Sequence, residues 1–174
     1  MYINTGDAQY SGHVQAFLNS WRQGGGITYT PGGLAWRDTW GPLRYTANTA
    51  AISVIAAKHG IDSAAANDWA KGQIDYMLYP SANPMGISYQ IIEGSLGWSP
   101  RKPHHRGASC NPDHSVPCNW DDYNTWEDND SELIGALVGG PDQNDQYSDD
   151  RSNYITNEVA TDYNAGFQTA LAGE

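Results

Sequence analysis

Two carboxylates, Asp149 and Glu158, stand among Tyr147, Tyr154 and Tyr163, where an acidic loop gives way to a helical pattern. Acid chemistry on a sugar uses that combination: a proton donor, charged neighbours that tune it, and flat rings that hold the substrate. Residue 158 falls near the start of a predicted helix, where the dipole favours a charged carboxylate. A like charge at Asp162, four positions on, works the other way. By spacing alone, a favourable first-turn acid is the commoner fate of such a glutamate. Upstream, Pro103-His104-His105-Arg106 brings an imidazole and a guanidinium together, or is simply a solvated basic turn. Trp40 offers a stacking plate, while Arg44 and Tyr45 offer donors to sugar hydroxyls. For Trp36 and Trp40, core packing at a helix entrance is an equally good reading.

These residues need elements to hold them. Val14, Phe17, Leu18 and Trp21, at spacings of three and four, predict a helix over residues 8–21, broken by Gly24-Gly25-Gly26. Tyr29-Thr30-Pro31-Gly32-Gly33 is turn chemistry. Leu43, Ala47, Ala50, Val54 and Ala57 lie on one stripe of a second helix, about 42–59, with Gly60 as its stop. Asp62 or Ser63 can cap a third helix to about Leu78, with Ala66, Trp69, Ile74 and Met77 as contacts and Pro80 as its end. Residues 81–130 are too rich in Pro and Asn for regular structure throughout, apart from a short extended piece at 87–92. One or two helical turns are expected at 132–138. A last helix is expected from about Asn157 to Leu171, with Val159, Tyr163, Phe167 and Ala170 on one side. The pattern implies one all-α domain of antiparallel helical hairpins.

With 174 residues the chain can bury a real core. Its net charge of −11 argues against nucleic acid and membranes as partners and suits a neutral polysaccharide. Seven Trp and eleven Tyr against two Phe favour rings with polar tips, as a pyranose surface asks. No apolar run is long enough to span a bilayer. Cys110 and Cys118, eight positions apart, are expected to form a local disulfide, which implies an oxidising compartment. No signal peptide is visible, so the chain reads as cut from a longer secreted, extracellular precursor.

The run over residues 147–165 closely resembles the acid motif of family 9 glycoside hydrolases, the inverting endoglucanases. Tyr147, Asp149, Tyr154, Glu158, Ala160, Asn164 and Ala165 fill its defined positions. The resemblance implies that Glu158 is the general acid, that Asp149 orients or tunes the site, and that Tyr163 lies near the cleaved bond. Pro103-His104-His105-Arg106 matches the ending of a second family motif, in which His104 and Arg106 line the neighbouring subsite. Ser88, Tyr89 and Gly94 resemble that motif's start, but Gln90 and Ile91 depart from it and the spacing is stretched, so a remodelled loop is expected. Residues 30–50 resemble a cleft segment that uses Trp40, Arg44 and Tyr45, and residues 135–145 match the lead into the acid motif.

The resemblance implies a partial (α/α)6 barrel from the C-terminal part of a single catalytic domain, acting as a monomer on cellulose or soluble β-glucan. No cofactor is required. The acids after Gly140 leave a structural calcium site open, but not of EF-hand type, since Tyr147 and Asn153 fall where Gly and Glu are needed. Zinc on Cys110, His114 and Cys118 with His104 or His105 ranks below the disulfide. The family's Asp-Ala-Gly-Asp type segment, which supplies the base, is not in the sequence, so the chain alone is expected to hydrolyse little or nothing. The alternatives are a non-catalytic glucan-binding protein and a small zinc domain.

Overall fold

The computed structural model describes residues 1–93, 98–113 and 115–173. Helix α1 (Tyr2–Thr5) leads into α2 (Ala8–Trp21), which Asp7 caps by accepting from the Gln9 N–H at 2.9 Å. The expected turn at 29–33 joins β1 (Thr28–Tyr29) and β2 (Ala35–Trp36), an antiparallel pair in the register Thr28 opposite Trp36. The Tyr29 hydroxyl donates to the Trp21 carbonyl and accepts from Trp69 Nε1, both at 2.7 Å, so one phenol ties α2, the hairpin and the third long helix together.

Helix α3 (Pro42–Lys58) is the spine. Pro42 opens it after Gly41, whose φ of 58° and close approach to the Tyr163 ring leave no room for a side chain. The stripe Leu43, Ala47, Ala50, Val54 and Ala57 is buried as expected. Its alanines let α4 (Ser63–Leu78) and α8 (Thr161–Leu171) pack against the same spine. Asp62 stands at the N-cap of α4 but makes no capping hydrogen bond; its carboxylate meets Arg22 Nη2 at 2.5 Å. Leu34, Leu43, Ile74, Met77, Tyr89, Leu137, Val138 and Phe167 fill the main core.

A 3-10 turn at Pro80–Ala82 ends α4, and Asn83 holds the departing chain by donating to the carbonyls of Tyr76, Tyr79 and Ile87. The long loop beyond it contains two short helices, α5 (Arg106–Ser109) and α6 (Trp120–Asn124). Cys110 and Cys118 form the expected disulfide. Bonded sulfurs do not ligate zinc, so the zinc alternative loses both of its cysteines; His114, like Gly94, lies outside the described residues.

Two expectations fail. Residues 132–138 are not helical: Gly135 N–H donates to the Ile91 carbonyl, and Ile91 and Val138 N–H donate to those of Ala136 and Tyr89. The extended piece expected at 87–92 thus finds its partner here, in the pairing of Gln90 with Leu137. The last helix, expected from about Asn157, begins four residues later and ends where expected. Helix α7 (Tyr154–Asn157) stops, residues 158–160 run extended, and α8 begins afresh at Thr161.

Candidate active site

Glu158 occupies that break. Its φ of −66° and ψ of 146° are extended, and residue 158 pairs in parallel with His104, whose N–H donates to the Asn157 carbonyl at 2.7 Å. Val159 pairs with Val138 on the other side. Backbone groups spent on two neighbouring segments are not free to continue a helix. The expected first-turn position is therefore wrong, and Asp162 is no helical neighbour of Glu158; it ion-pairs with Arg44 at 3.3 Å.

Two side chains converge on one carboxylate oxygen. Trp40 Nε1 and the Tyr163 hydroxyl each donate to Glu158 Oε2 at 2.8 Å. Among the described residues Oε1 takes no protein hydrogen bond. Burial, together with the facing Glu158, pushes the Tyr163 phenol well above its ordinary value, so it stays a donor. Trp40, from the loop before α3, remains 44% exposed, so core packing does not account for it. Trp36, by contrast, packs on the core and donates to the Pro141 carbonyl at 3.3 Å.

Arg44, in the first turn of α3, donates to the Trp40 carbonyl and the Tyr45 hydroxyl at 3.2 and 3.1 Å. Its guanidinium lies 4.7 Å from the Tyr45 ring centroid and 5.0 Å from that of Tyr163. This cation stiffens the wall that carries both of Glu158's donors.

His104 faces Glu158 from the next segment, with Nδ1 2.6 Å from the Arg151 carbonyl. Asp149 is engaged with the backbone: its oxygens accept from the N–H groups of Arg101 and Lys102 at 2.7 and 3.0 Å and from Asn157 Nδ2 at 3.1 Å. It fixes the strand that delivers His104. Arg106, at the start of α5, is exposed, shares a cavity wall with His104, and makes no ion pair among the described residues.

Three further residues complete the surroundings. The Tyr154 ring lies tilted against Trp40 at 5.0 Å and edge-on to His104 at 6.0 Å, bridging the two walls. Asn157, fully buried, joins Asp149, the Lys102 carbonyl and the Tyr147 hydroxyl. Arg151, 3% exposed, donates to Asn129 Oδ1 and to the carbonyls of Thr125 and Glu127. The motif spacing marks Tyr154 as an aromatic position; nothing local marks the other two. Of the acids considered for calcium, Asp145 is buried and accepts from Tyr76 and Gly32, and Asp142 accepts from the N–H groups of Asn144 and Gln146. Among the described residues no cluster of three or more metal-ligating side chains forms.

A carboxylic acid with one oxygen anchored and the other open, walled by rings on a helical frame, is the equipment of an all-α glycoside hydrolase. The family model described as Glycosyl hydrolase family 9 matches residues 2–171, and the chain belongs to that family. An endoglucanase of Dictyostelium discoideum is 45% identical over 163 residues, 94% of this chain and 21% of its own length. The endoglucanase of the termite Nasutitermes takasagoensis superposes with a TM-score of 0.88 at 44% identity, over 99% of this chain and 38% of that one. The cellulase Cel9M of C. cellulolyticum, solved in complex with cellobiose, gives 0.83 at 39% identity, over 99% of this chain and 37% of that one. The chain thus spans about a sixth to two fifths of the length of these and other relatives it matches. Its fold is the expected one, part of an (α/α)6 barrel built of helical hairpins with long loops.

Proposed function

We propose that these residues are the C-terminal part of one catalytic domain of a secreted, monomeric endo-β-1,4-glucanase. It cuts internal bonds of cellulose or soluble β-glucan with inversion. The observation that carries this reading is the convergence of Trp40 Nε1 and the Tyr163 hydroxyl on Glu158 Oε2, beside the open Oε1. Glu158 gives its proton to the glycosidic oxygen as the bond from that oxygen to the anomeric carbon breaks. Water adds to the anomeric carbon from the opposite face and loses a proton to a second carboxylate. Trp40, Tyr154 and His104 hold the sugar, and Arg44 and Tyr45 brace the wall.

The nearby acids are poor candidates for that base. Asp149 is held by backbone N–H groups and Asp162 by Arg44. We assign the base to a segment outside residues 1–174, so this chain alone releases few or no reducing ends from carboxymethylcellulose. Robust turnover by it would refute that assignment. In the enzyme containing the base, Glu158→Gln lowers kcat by about 10³-fold or more, the scale of losing a general acid, while oligosaccharide binding persists. Unchanged cleavage by that variant would refute Glu158 as the acid.

A further inference from the structure

The disulfide closes an arm that the reaction above does not use. A cavity of about 440 Å³, within the roughly 300–1,000 Å³ usual for ligand sites, opens beside His104 and Arg106. Its far wall is Trp120 and Tyr123 of α6, and the Cys110–Cys118 bridge lines it too. Trp120 is 75% exposed yet held edge-on by Tyr123 at 5.5 Å. Tyr123 in turn lies 6.4 Å from His104, which lies 6.0 Å from Tyr154 and so leads to Trp40. The rings form an unbroken succession from the donor on Glu158 to the tip of the arm.

The arm is anchored on both sides. The disulfide fixes its entry, and Arg151 grips the Thr125 and Glu127 carbonyls at its exit. Asn119 and Asp122 close a capping box at the head of α6: the Asn119 N–H donates to Asp122 Oδ2 at 2.7 Å, and Asn119 Oδ1 also accepts from the Asp121 N–H at 2.6 Å. A ring held before the ligand arrives loses little freedom on binding. Asp121 and Asp122 beside Trp120 disfavour an anionic polymer and leave a neutral one acceptable.

Building on the functional reading above, we infer that this arm is a further subsite for neutral β-glucan. It lies on the His104 side of Glu158, with Trp120 and Tyr123 as its stacking rings and the disulfide holding them in place. Because the arm is remote from the acid, it rewards longer chains and is indifferent to short ones.

The test is titration of the 174-residue chain with cello-oligosaccharides of two to six units, using calorimetry. Wild type is compared with Trp120→Ala, Tyr123→Ala, the double variant Cys110→Ser with Cys118→Ser, and Trp40→Ala. Far-UV circular dichroism checks that each is folded. The subsite requires affinity to rise with length in wild type, and Trp120→Ala to lose about tenfold on the longest ligand and nothing on cellobiose. The serine pair removes part of the same gain, whereas Trp40→Ala weakens every length. Equal affinities for Trp120→Ala and wild type at all lengths, with Trp40→Ala still weakened, overturn the subsite and leave the glucanase reading standing. No binding of any oligosaccharide by wild type overturns both.

Discussion

Anchoring Glu158 through one oxygen leaves the other open for the proton transfer proposed for it, and the two anchors differ in what else they do. Trp40 is also proposed to hold the sugar, so its loss would mix binding with catalysis. Tyr163 is buried and donates to Glu158 through its hydroxyl, which makes Tyr163→Phe the cleaner probe. A hydrogen bond to a charged or proton-bearing group is worth about 1.5–3 kcal/mol. In the complete enzyme, Tyr163→Phe should lower kcat about 10- to 100-fold with KM within about twofold. A KM rise with kcat intact would show that the hydroxyl serves substrate binding instead. Asp149→Asn tests a different kind of residue. The amide nitrogen would turn donors toward the N–H groups of Arg101 or Lys102, leaving one of them unpaired at a cost of about 1–3 kcal/mol. Its thermal midpoint should therefore fall, and activity should fall with it through the displacement of His104. An unchanged midpoint would show that Asp149 does not hold that strand.

At the scale of elements, close packing along α3 decides which glycines are free to change. Gly166 lies on α8 against α3, and a Cβ there would sit 2.3 to 2.6 Å from the side chain and backbone of Asn48. Backbone cannot step aside as a side-chain tip does, so Gly166→Ala should destabilise by about 1–3 kcal/mol in urea unfolding despite alanine's better helix propensity. Gly72 on α4 meets nothing within 4 Å, and Gly72→Ala should stabilise by about 0.5–1 kcal/mol. Equal shifts in both would refute the claim that α8 touches α3 at backbone distance. The α3 stripe was legible in the sequence because a buried helix advertises itself through periodicity of its own residues. The break at 158–160 was not legible, because Val159, Tyr163 and Phe167 keep helical spacing across it. What stops the helix is pairing with His104 and Val138, which no local window contains. Residues 132–138 misled for the same reason. Glu158, His104 and Trp40 are singled out by the resemblance to family motifs rather than by spacing alone, whereas Arg151 is not, since two of its partners are backbone carbonyls that any sequence supplies.

Across the whole molecule, tyrosine is built into the core as well as the cleft, and that sets how the protein fails at high pH. Tyr76 and Tyr89 stack at 5.9 Å, and Tyr147 meets Tyr89 edge-on at 5.4 Å. Burial pushes the phenols of all three, and of Tyr163, above the ordinary value, with neighbouring carboxylates adding to the rise. The folded state therefore holds protons that the unfolded chain gives up near pH ~10. Their stabilisation is complete below that pH and is lost as pH rises beyond it toward the folded values. Each phenol kept neutral steepens the loss by up to about 1.4 kcal/mol per pH unit, and a chain already at −11 gains further self-repulsion as other groups ionise. Stability should thus be insensitive to these phenols up to about pH 10 and collapse cooperatively above it. Phenolate absorbance followed together with far-UV circular dichroism checks this. Of the eleven tyrosines, the exposed ones should ionise first, and the buried set only as helical signal disappears. If all eleven instead ionised as one class near pH ~10 with the helices intact, the buried phenols would not be the groups that limit the fold at high pH.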